Sequence, residues 1–164
     1  ASVDCGALDD AAESLERSLE IARDEDADRR VSEAHRGLGR LHLERADPDR
    51  AAEHYEAARA VAESIDRARG VADADAGLGR TAAKRGDDAD AVDRYRAAFD
   101  RYREIGADRR AVETAERLGE ACRRLGRPDA AAERCADALN VAAELGATER
   151  CERLRTLHGE LSDA

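Results

Sequence analysis

Three stretches of sequence, forty residues apart, decide the fold of this 164-residue chain. They are HRGLGRLHLERADPDRAAEHY at residues 35–55, DAGLGRTAAKRGDDADAVDRY at residues 75–95 and AERLGEACRRLGRPDAAAERC at residues 115–135. All three align without a gap and share a Leu-Gly pair in the same columns. Recurrence at a fixed period of this length is typical of a repeat protein, in which each unit stacks on the next.

The forty-residue spacing continues into the rest of the chain. The aligned columns are Leu38, Leu78 and Leu118; Gly39, Gly79, Gly119 and Gly159; Ala11, Ala51, Ala91 and Ala131; Leu15, Tyr55, Tyr95 and Cys135; Ser18, Ala58, Ala98 and Ala138; and Ile65, Ile105 and Leu145. The glycine and alanine columns predict that neighbouring helices approach closely. Tyr55 and Tyr95 are expected to fill the gap between successive hairpins, and stacking of the units supplies the core.

Each unit is predicted to contain two helices. In the second unit, residues 71–85 have a helical pattern, and residues 88–105 place Ala91, Tyr95, Ala98 and Tyr102 at helical spacing. Asp47-Pro48 reads as an N-cap followed by proline at the first helical position. The equivalent turns contain Asp87 and Arg127-Pro128, and the helices are expected to end at Gly86, Gly106, Gly126 and Gly146.

These motifs resemble the tetratricopeptide repeat (TPR), whose core reads W-x2-L-G-x2-Y…A-x3-F. The first full unit reads His35-x2-Leu38-Gly39-x2-His42…Ala51-x3-Tyr55. The chain departs from the family pattern in three ways. The tryptophan column is lost, the late proline is replaced by Glu63, Arg103 and Ala143, and the period is about six residues longer.

The resemblance implies an all-α fold, a right-handed α-solenoid of antiparallel helix hairpins with seven or eight helices and no sheet. Residues 1–164 are expected to form one TPR-like domain. Its parts are a half-repeat at 1–26, full repeats at 27–66, 67–106 and 107–146, and a C-terminal capping helix at 147–164. Because the chain opens inside a repeat, we expect it to be a piece of a longer protein.

Composition narrows the class of function. The net charge is −10, which disfavours a nucleic-acid partner. No stretch of about 18 residues lacks charge and no signal peptide opens the chain, so we expect a cytoplasmic protein with no membrane partner. Lys84 is the sole lysine against 27 arginines. Abundant Asp, Glu, Ala and Arg with little Lys resembles halophilic proteomes.

No motif for catalysis or for a cofactor is found, so the protein is not expected to be an enzyme. No metal site is expected either, because the cysteine spacings of thirteen and sixteen lack histidine partners of suitable spacing. Cys122 and Cys135 are interpreted as small buried residues with free thiols. His35 and His42 are interpreted as core residues, and His54 is expected to face solvent.

The resemblance also implies a binding surface, because the first helices of TPR-like solenoids line a concave groove. The corresponding columns contain a track of basic residues that also includes Arg124, and the expected partner-binding residues among them are Arg36, Arg40, Arg80, Lys84 and Arg123. Arginine forks bind carboxylates in bidentate fashion, so the expected partner is a protein or peptide with an acidic segment. Another interpretation of these columns is a mixed-charge surface of i,i+4 ion pairs.

The expected function is a scaffold or adaptor for protein–protein interaction. Two alternatives stay open. One is a peptide- or ligand-sensing repeat domain of a larger regulatory protein. The other is a repeat fragment that assembles with itself through its end helices.

Overall fold

The computed structural model of the protein describes residues 5–126 and 128–162, with side chains for residues 8–126 and 136–160. Throughout these ranges the chain is helical apart from short turns, and it contains no strand. The eight helices are α1 (Cys5–Asp24), α2 (Asp28–Glu44), α3 (Pro48–Ser64), α4 (Ala68–Arg85), α5 (Asp88–Glu104), α6 (Asp108–Leu125), α7 (Pro128–Glu144) and α8 (Thr148–Ser162). The predicted all-α class is confirmed.

The turns between helices recur every twenty residues. Each contains one residue with positive φ: Asp26, Ala46, Asp66, Gly86, Gly106, Gly126 and Gly146. The four glycines are the helix ends predicted from the sequence. A left-handed residue lets the chain reverse while its N–H groups satisfy the last carbonyl oxygens of the helix. Because the turns are equally spaced, the forty-residue repeat consists of two halves of equal length.

Two aspartates cap second helices as the sequence predicts. The side chain of Asp47 accepts a hydrogen bond from the N–H of Arg50 at 3.2 Å, and Pro48 begins α3. The side chain of Asp87 likewise accepts from the N–H of Asp90 at 3.2 Å. Each cap satisfies one of the donors that the first turn of a helix leaves without a partner.

The helices divide between two compact units, an N-terminal unit (Ala1–Thr81) and a C-terminal unit (Ala82–Ala164). The N-terminal unit contains α1, α2, α3 and most of α4. Its first core cluster joins Leu19 and Ala22 of α1 to Val31, Ala34 and Leu38 of α2. A second cluster is made by the apolar side chains of Leu43, Ala51, Tyr55 and Leu78.

The C-terminal unit contains the end of α4 and helices α5 to α8. Its largest fully buried side chains include Phe99, Tyr102, Leu118 and Leu154. Helix α6 packs against α5, α7 and α8, so it lies at the centre of this unit.

The cysteines whose side chains are described behave as small apolar residues. Cys122 and Cys151 are buried and carry free thiols, as the sequence predicts for Cys122. The side chains of Cys5 and Cys135 lie outside the described residues. Along the parts of the chain that the structure covers, we find no helix whose length and hydrophobicity would let it span a membrane.

Candidate partner-binding site

Tyr55 of α3 reaches between two first helices of the N-terminal unit. A Cβ added to Gly77 of α4 would lie 2.3 Å from Cε1 of the ring, and one added to Gly39 of α2 would lie 3.0 Å from Cδ2. The residue is only 2% exposed. The ring therefore fills the gap between the helices, as predicted, and glycine on each side leaves room for it.

Three of the predicted partner-binding residues act electrostatically on this tyrosine. Burial raises the pKa of the Tyr55 phenol, while the nearby guanidinium groups of Arg80, Arg40 and Arg36 act to lower it. The phenol remains protonated at neutral pH and can donate a hydrogen bond. Arginines of α2 and α4 thus act on the same phenol, although they are far apart in sequence.

The three arginines are held to different degrees. Arg36 forms an ion pair with Asp73 of α4, whose side chain is only 8% exposed. Arg40 is 70% exposed, and its Nε lies 3.8 Å from Oε1 of Glu44. Arg80 is half-buried. An exposed i,i+4 pair at this distance is weak, so Arg40 can leave Glu44 for another carboxylate at little cost.

Two further acidic residues of these helices, Glu33 and Asp75, are held by other arginines. Arg67 donates to Glu33 at 2.9 Å, and this hydrogen bond is the main cause that lowers the pKa of the Glu33 carboxyl group. Asp75 is buried and accepts a hydrogen bond from Arg59 at 2.9 Å. These two pairs join different elements of the fold. The i,i+4 pairs that the mixed-charge interpretation predicts are present as well, since Arg29 pairs with Glu33 and Arg59 with Glu63. We call Arg36, Arg40, Arg80 and Tyr55 the arginine cluster.

The other two predicted residues belong to the C-terminal unit. Lys84 is exposed near the end of α4. Arg123 of α6 lines a cavity of about 610 Å³ beside α8, and its Nε lies 4.0 Å from Oε2 of Glu160. The cavity has mixed charge and is lined by Glu113, Glu116, Arg117, Glu120, Arg123, Arg150, Glu152, Arg153, Thr156, Leu157 and Glu160.

Glu116 is the acidic centre of this cavity. Arg150 donates to it at 3.1 Å, and the Nε of Arg153 lies 3.4 Å from its other oxygen. Since both arginines come from α8, these contacts fix α6 to α8. The surroundings of Arg123 therefore carry both signs of charge, as do those of Arg36 and Arg40, which pair with Asp73 and Glu44.

One expectation about a histidine is wrong. His54 was expected to face solvent, but it is half-buried and contacts both His35 and His42. On an isolated α3 the His54 side chain would be exposed. It is partly buried in the protein because α3 packs against α2. Among the residues with described side chains, no group of three or more His, Cys, Asp or Glu has the arrangement to hold a metal ion.

Repeated helix hairpins that present charged side chains are typical of helical-repeat proteins that mediate interactions with other proteins. The chain belongs to the tetratricopeptide repeat family, whose model matches residues 3–64 and 70–144. This match confirms the family predicted from the Leu-Gly and Ala-x3-Tyr motifs. Tetratricopeptide repeats generally mediate protein–protein interactions, and they are typically scaffolds without enzymatic activity.

Several solved structures have a similar fold. Two crystal structures of the nearly identical TPR-like repeats of a putative kinesin light chain from Podosopora anserina are 16% identical to this chain, with TM-scores of 0.73 and 0.72. The match covers 96% of this chain and 82% of each of those chains. BtubC (BKLC) from P. vanneervenii is 14% identical, with a TM-score of 0.53 and coverage of 96% and 91%. The comparison with curated proteins gives no match.

Proposed function

We propose that the protein is an interaction module that binds an acidic segment of a partner protein in a groove lined by its first helices. The observation that supports this most is the place of Tyr55 between Gly39 of α2 and Gly77 of α4, the two helices whose Arg36, Arg40 and Arg80 act on the pKa of its phenol. Guanidinium groups bind carboxylates through two parallel hydrogen bonds, so a segment rich in Asp or Glu, or a chain terminus, is the ligand of matching chemistry.

The members of the arginine cluster have different parts in the proposal. Arg36 is held by Asp73 and orients the surface of α2 against α4. Arg40 exchanges Glu44 for a carboxylate of the partner, and Arg80 supplies a second positive charge. Tyr55 is buried between α2 and α4 and holds the two arginine-bearing helices at a fixed spacing.

Further features of the proposal concern the whole chain. Lys84 and Arg123 are proposed as additional partner-binding residues of the C-terminal unit. Residues 1–164 are proposed to act as one scaffold domain, without enzymatic activity, in the cytoplasm. The low aromatic content and net charge of −10 support a protein partner over nucleic acid.

The experiment compares partner capture by three forms of the protein. The natural chain, the variant with Arg40→Glu and Arg80→Glu, and a control with Arg96→Glu are immobilised in equal amounts and exposed to a lysate of the source. Arg96 is a suitable control because it lies on the second helix α5 and pairs only weakly with Asp93, at 3.9 Å. Captured proteins are quantified by mass spectrometry, and circular dichroism verifies that each form is folded.

The proposal predicts at least one protein that the natural chain and the Arg96 control retain and the double variant loses. A synthetic acidic segment from that protein should then bind the natural chain and show weaker binding to the double variant. Equal capture by all three forms would refute the arginine cluster as the binding surface. Capture of the chain alone would instead indicate self-assembly.

A further inference from the structure

A cluster of three histidines, formed by His35, His42 and His54, lies where α1, α2 and α3 meet. The Nδ1 atoms of His35 and His54 are 3.0 Å apart. The ring of His54 also stacks on that of His42, with centroids 5.3 Å apart and an angle of 11° between the planes. His35 and His42 are 8% and 7% exposed, so the cluster is largely shielded from water.

Arg23 of α1 fixes how the protons of this cluster are placed. Its Nη2 lies 3.3 Å from Nε2 of His35. A guanidinium group can only donate, so Nε2 of His35 must accept and the proton of this neutral ring must lie on Nδ1. That Nδ1–H then donates to Nδ1 of His54, whose own proton lies on Nε2. A chain of hydrogen bonds therefore runs from α1 through α2 to α3, and it requires both imidazoles to be neutral.

The charged groups around the cluster come from every element that packs on it. Helix α1 contributes Arg23 and Glu16, and α3 contributes Arg50 and Glu53. The turn between α2 and α3 contributes Arg45 and Asp47, whose Oδ2 lies 3.8 Å from Nδ1 of His42. The carboxylates among these groups favour protonation of His42 and His54. Burial, the arginines and the neighbouring imidazoles oppose it, and they prevail at all three histidines.

We propose that the histidine cluster is a proton-sensitive clamp, which holds α1 against the α2–α3 hairpin while neutral and releases it when protonated. Protonation of His35 at Nε2 replaces the acceptor of Arg23 by a second donor and brings two positive charges together. Protonation of His54 at Nδ1 removes the acceptor of the His35 hydrogen bond. Either event breaks the chain of hydrogen bonds that reaches α1.

The apolar contacts of α1 are modest enough for this release to be local. Helix α1 contributes only aliphatic side chains to the core, namely Ala12, Leu19 and Ala22, with Leu15 partly buried beside them. A further link at its N-terminal end is the ion pair between Asp9 and Arg45, in which Asp9 is 74% exposed. Arg23 links α1 to His35, whereas the contacts between α2 and α3 do not involve Arg23. Loss of the Arg23 contact can therefore loosen α1 while the α2–α3 hairpin stays intact.

The pH range of the clamp follows from the pKa of His35 in the folded and in the released state. Burial, His54 and Arg23 lower the pKa of His35 to about 4, from an ordinary value of 6.5. The released state therefore binds a proton more readily, and acid favours release between pH 6.5 and 4. One proton taken up on release makes the population of the released state rise up to tenfold per pH unit in this range.

The test measures hydrogen–deuterium exchange of the full chain at several pH values from 7.5 to 4.5, corrected for the intrinsic pH dependence of exchange. The clamp predicts that amides of α1 lose protection by up to tenfold per pH unit, while those of α6 do not. Circular dichroism at each pH verifies that the remaining helices are intact. Equal loss of protection in α1 and α6 would overturn the proposal.

A matched pair of variants tests whether titration of the His35 and His54 imidazoles causes the release of α1. His35→Asn with His54→Asn keeps a donor and an acceptor at the two positions but cannot titrate, so its α1 should keep its protection in acid. His158→Asn removes a histidine from α8 and should behave as the natural chain does. Release of α1 in the double variant with unchanged pH dependence would contradict the clamp.

A measurement on the natural chain covers the case in which the double variant does not fold. Nuclear magnetic resonance can follow the imidazole signals of His35 and His54 together with the amide signals of α1. The clamp predicts that both sets change with the same midpoint. Titration of the imidazoles without any change in α1 would refute it.

Discussion

Replacement of Gly77 by alanine should destabilise the protein, although alanine is the better helix former. The new Cβ would lie 2.3 Å from Cε1 and 2.4 Å from Cδ1 of Tyr55, where ordinary contact begins at 3.4 Å. The ring is buried and cannot move away as a flexible chain end would. Overpacking of this kind costs up to about 3 kcal/mol, and the helix propensity of alanine returns about 1 kcal/mol. The expected net loss in the free energy of unfolding is about 2 kcal/mol.

Urea unfolding followed by circular dichroism at the helix band measures this loss, and the midpoint should fall by roughly 1 M. Gly159→Ala makes the same chemical change in α8, where the added Cβ has nothing within 4 Å. It should stabilise the protein by about 0.5–1 kcal/mol, which reverses the sign of the effect. A Gly77→Ala variant as stable as the natural chain would refute the steric argument.

A double-mutant cycle tests whether the aromatic ring is the cause. Tyr55→Leu introduces the residue found at the matching position 15, where Cδ2 of Leu15 lies 2.8 Å from a Cβ added to Gly37. A leucine side chain can rotate away from such a contact. In this background Gly77→Ala should cost at least about 1 kcal/mol less than in the natural chain. Equal costs in both backgrounds would exclude Tyr55 as the obstacle.

Four other changes have definite expected outcomes, each measurable by denaturant unfolding. Ala46→Gly should add about 0.5–1 kcal/mol of stability, because Ala46 has a φ of 57° that disfavours a Cβ. Asp87→Ala should cost about 1 kcal/mol, since it removes the side-chain cap of α5. Arg59→Ala should cost about 1–3 kcal/mol, since it takes a charged donor from the buried carboxylate of Asp75. The free energy of unfolding should fall by about 1–2 kcal/mol from pH 7 to pH 5, because the unfolded state protonates His35 near pH 6.5 and the folded state only near pH 4. An unchanged stability over that pH range would contradict the assignment for His35.

The fold could be predicted in detail because its signals are local and repeated. Gly86, Gly106, Gly126 and Gly146 mark helix ends directly, since glycine tolerates positive φ. The repeat boundaries after residues 26 and 66 and the Asp47 cap also predict turns at Asp26, Ala46 and Asp66, but not their left-handed backbone. Alanine gives no such signal, and aspartate gives only a weak one, since it tolerates positive φ better than most residues but far less well than glycine.

For the candidate site, the sequence could predict which residues belong to it but not which contacts they make. The repeat columns put Arg36, Arg40 and Arg80 on one expected surface, but they could not show that Arg36 pairs with Asp73, 37 residues away. Nor could they show that Tyr55 lies between α2 and α4, which depends on the missing side chains of Gly39 and Gly77. Contacts between helices of different hairpins depend on how the helices pack. They cannot be predicted from the pattern of residues along one helix.

The twenty-residue spacing of the turns also constrains how such a gene can change in length. A duplication or deletion of forty codons adds or removes one complete repeat, so first and second helices still alternate. The glycines of the product still face aromatic or aliphatic side chains. A change of twenty codons would exchange first and second helices, and it would place residues such as Tyr55 where glycine is needed. Homologous genes should therefore differ in length by multiples of forty codons, and recombination between repeats would yield products that still fold.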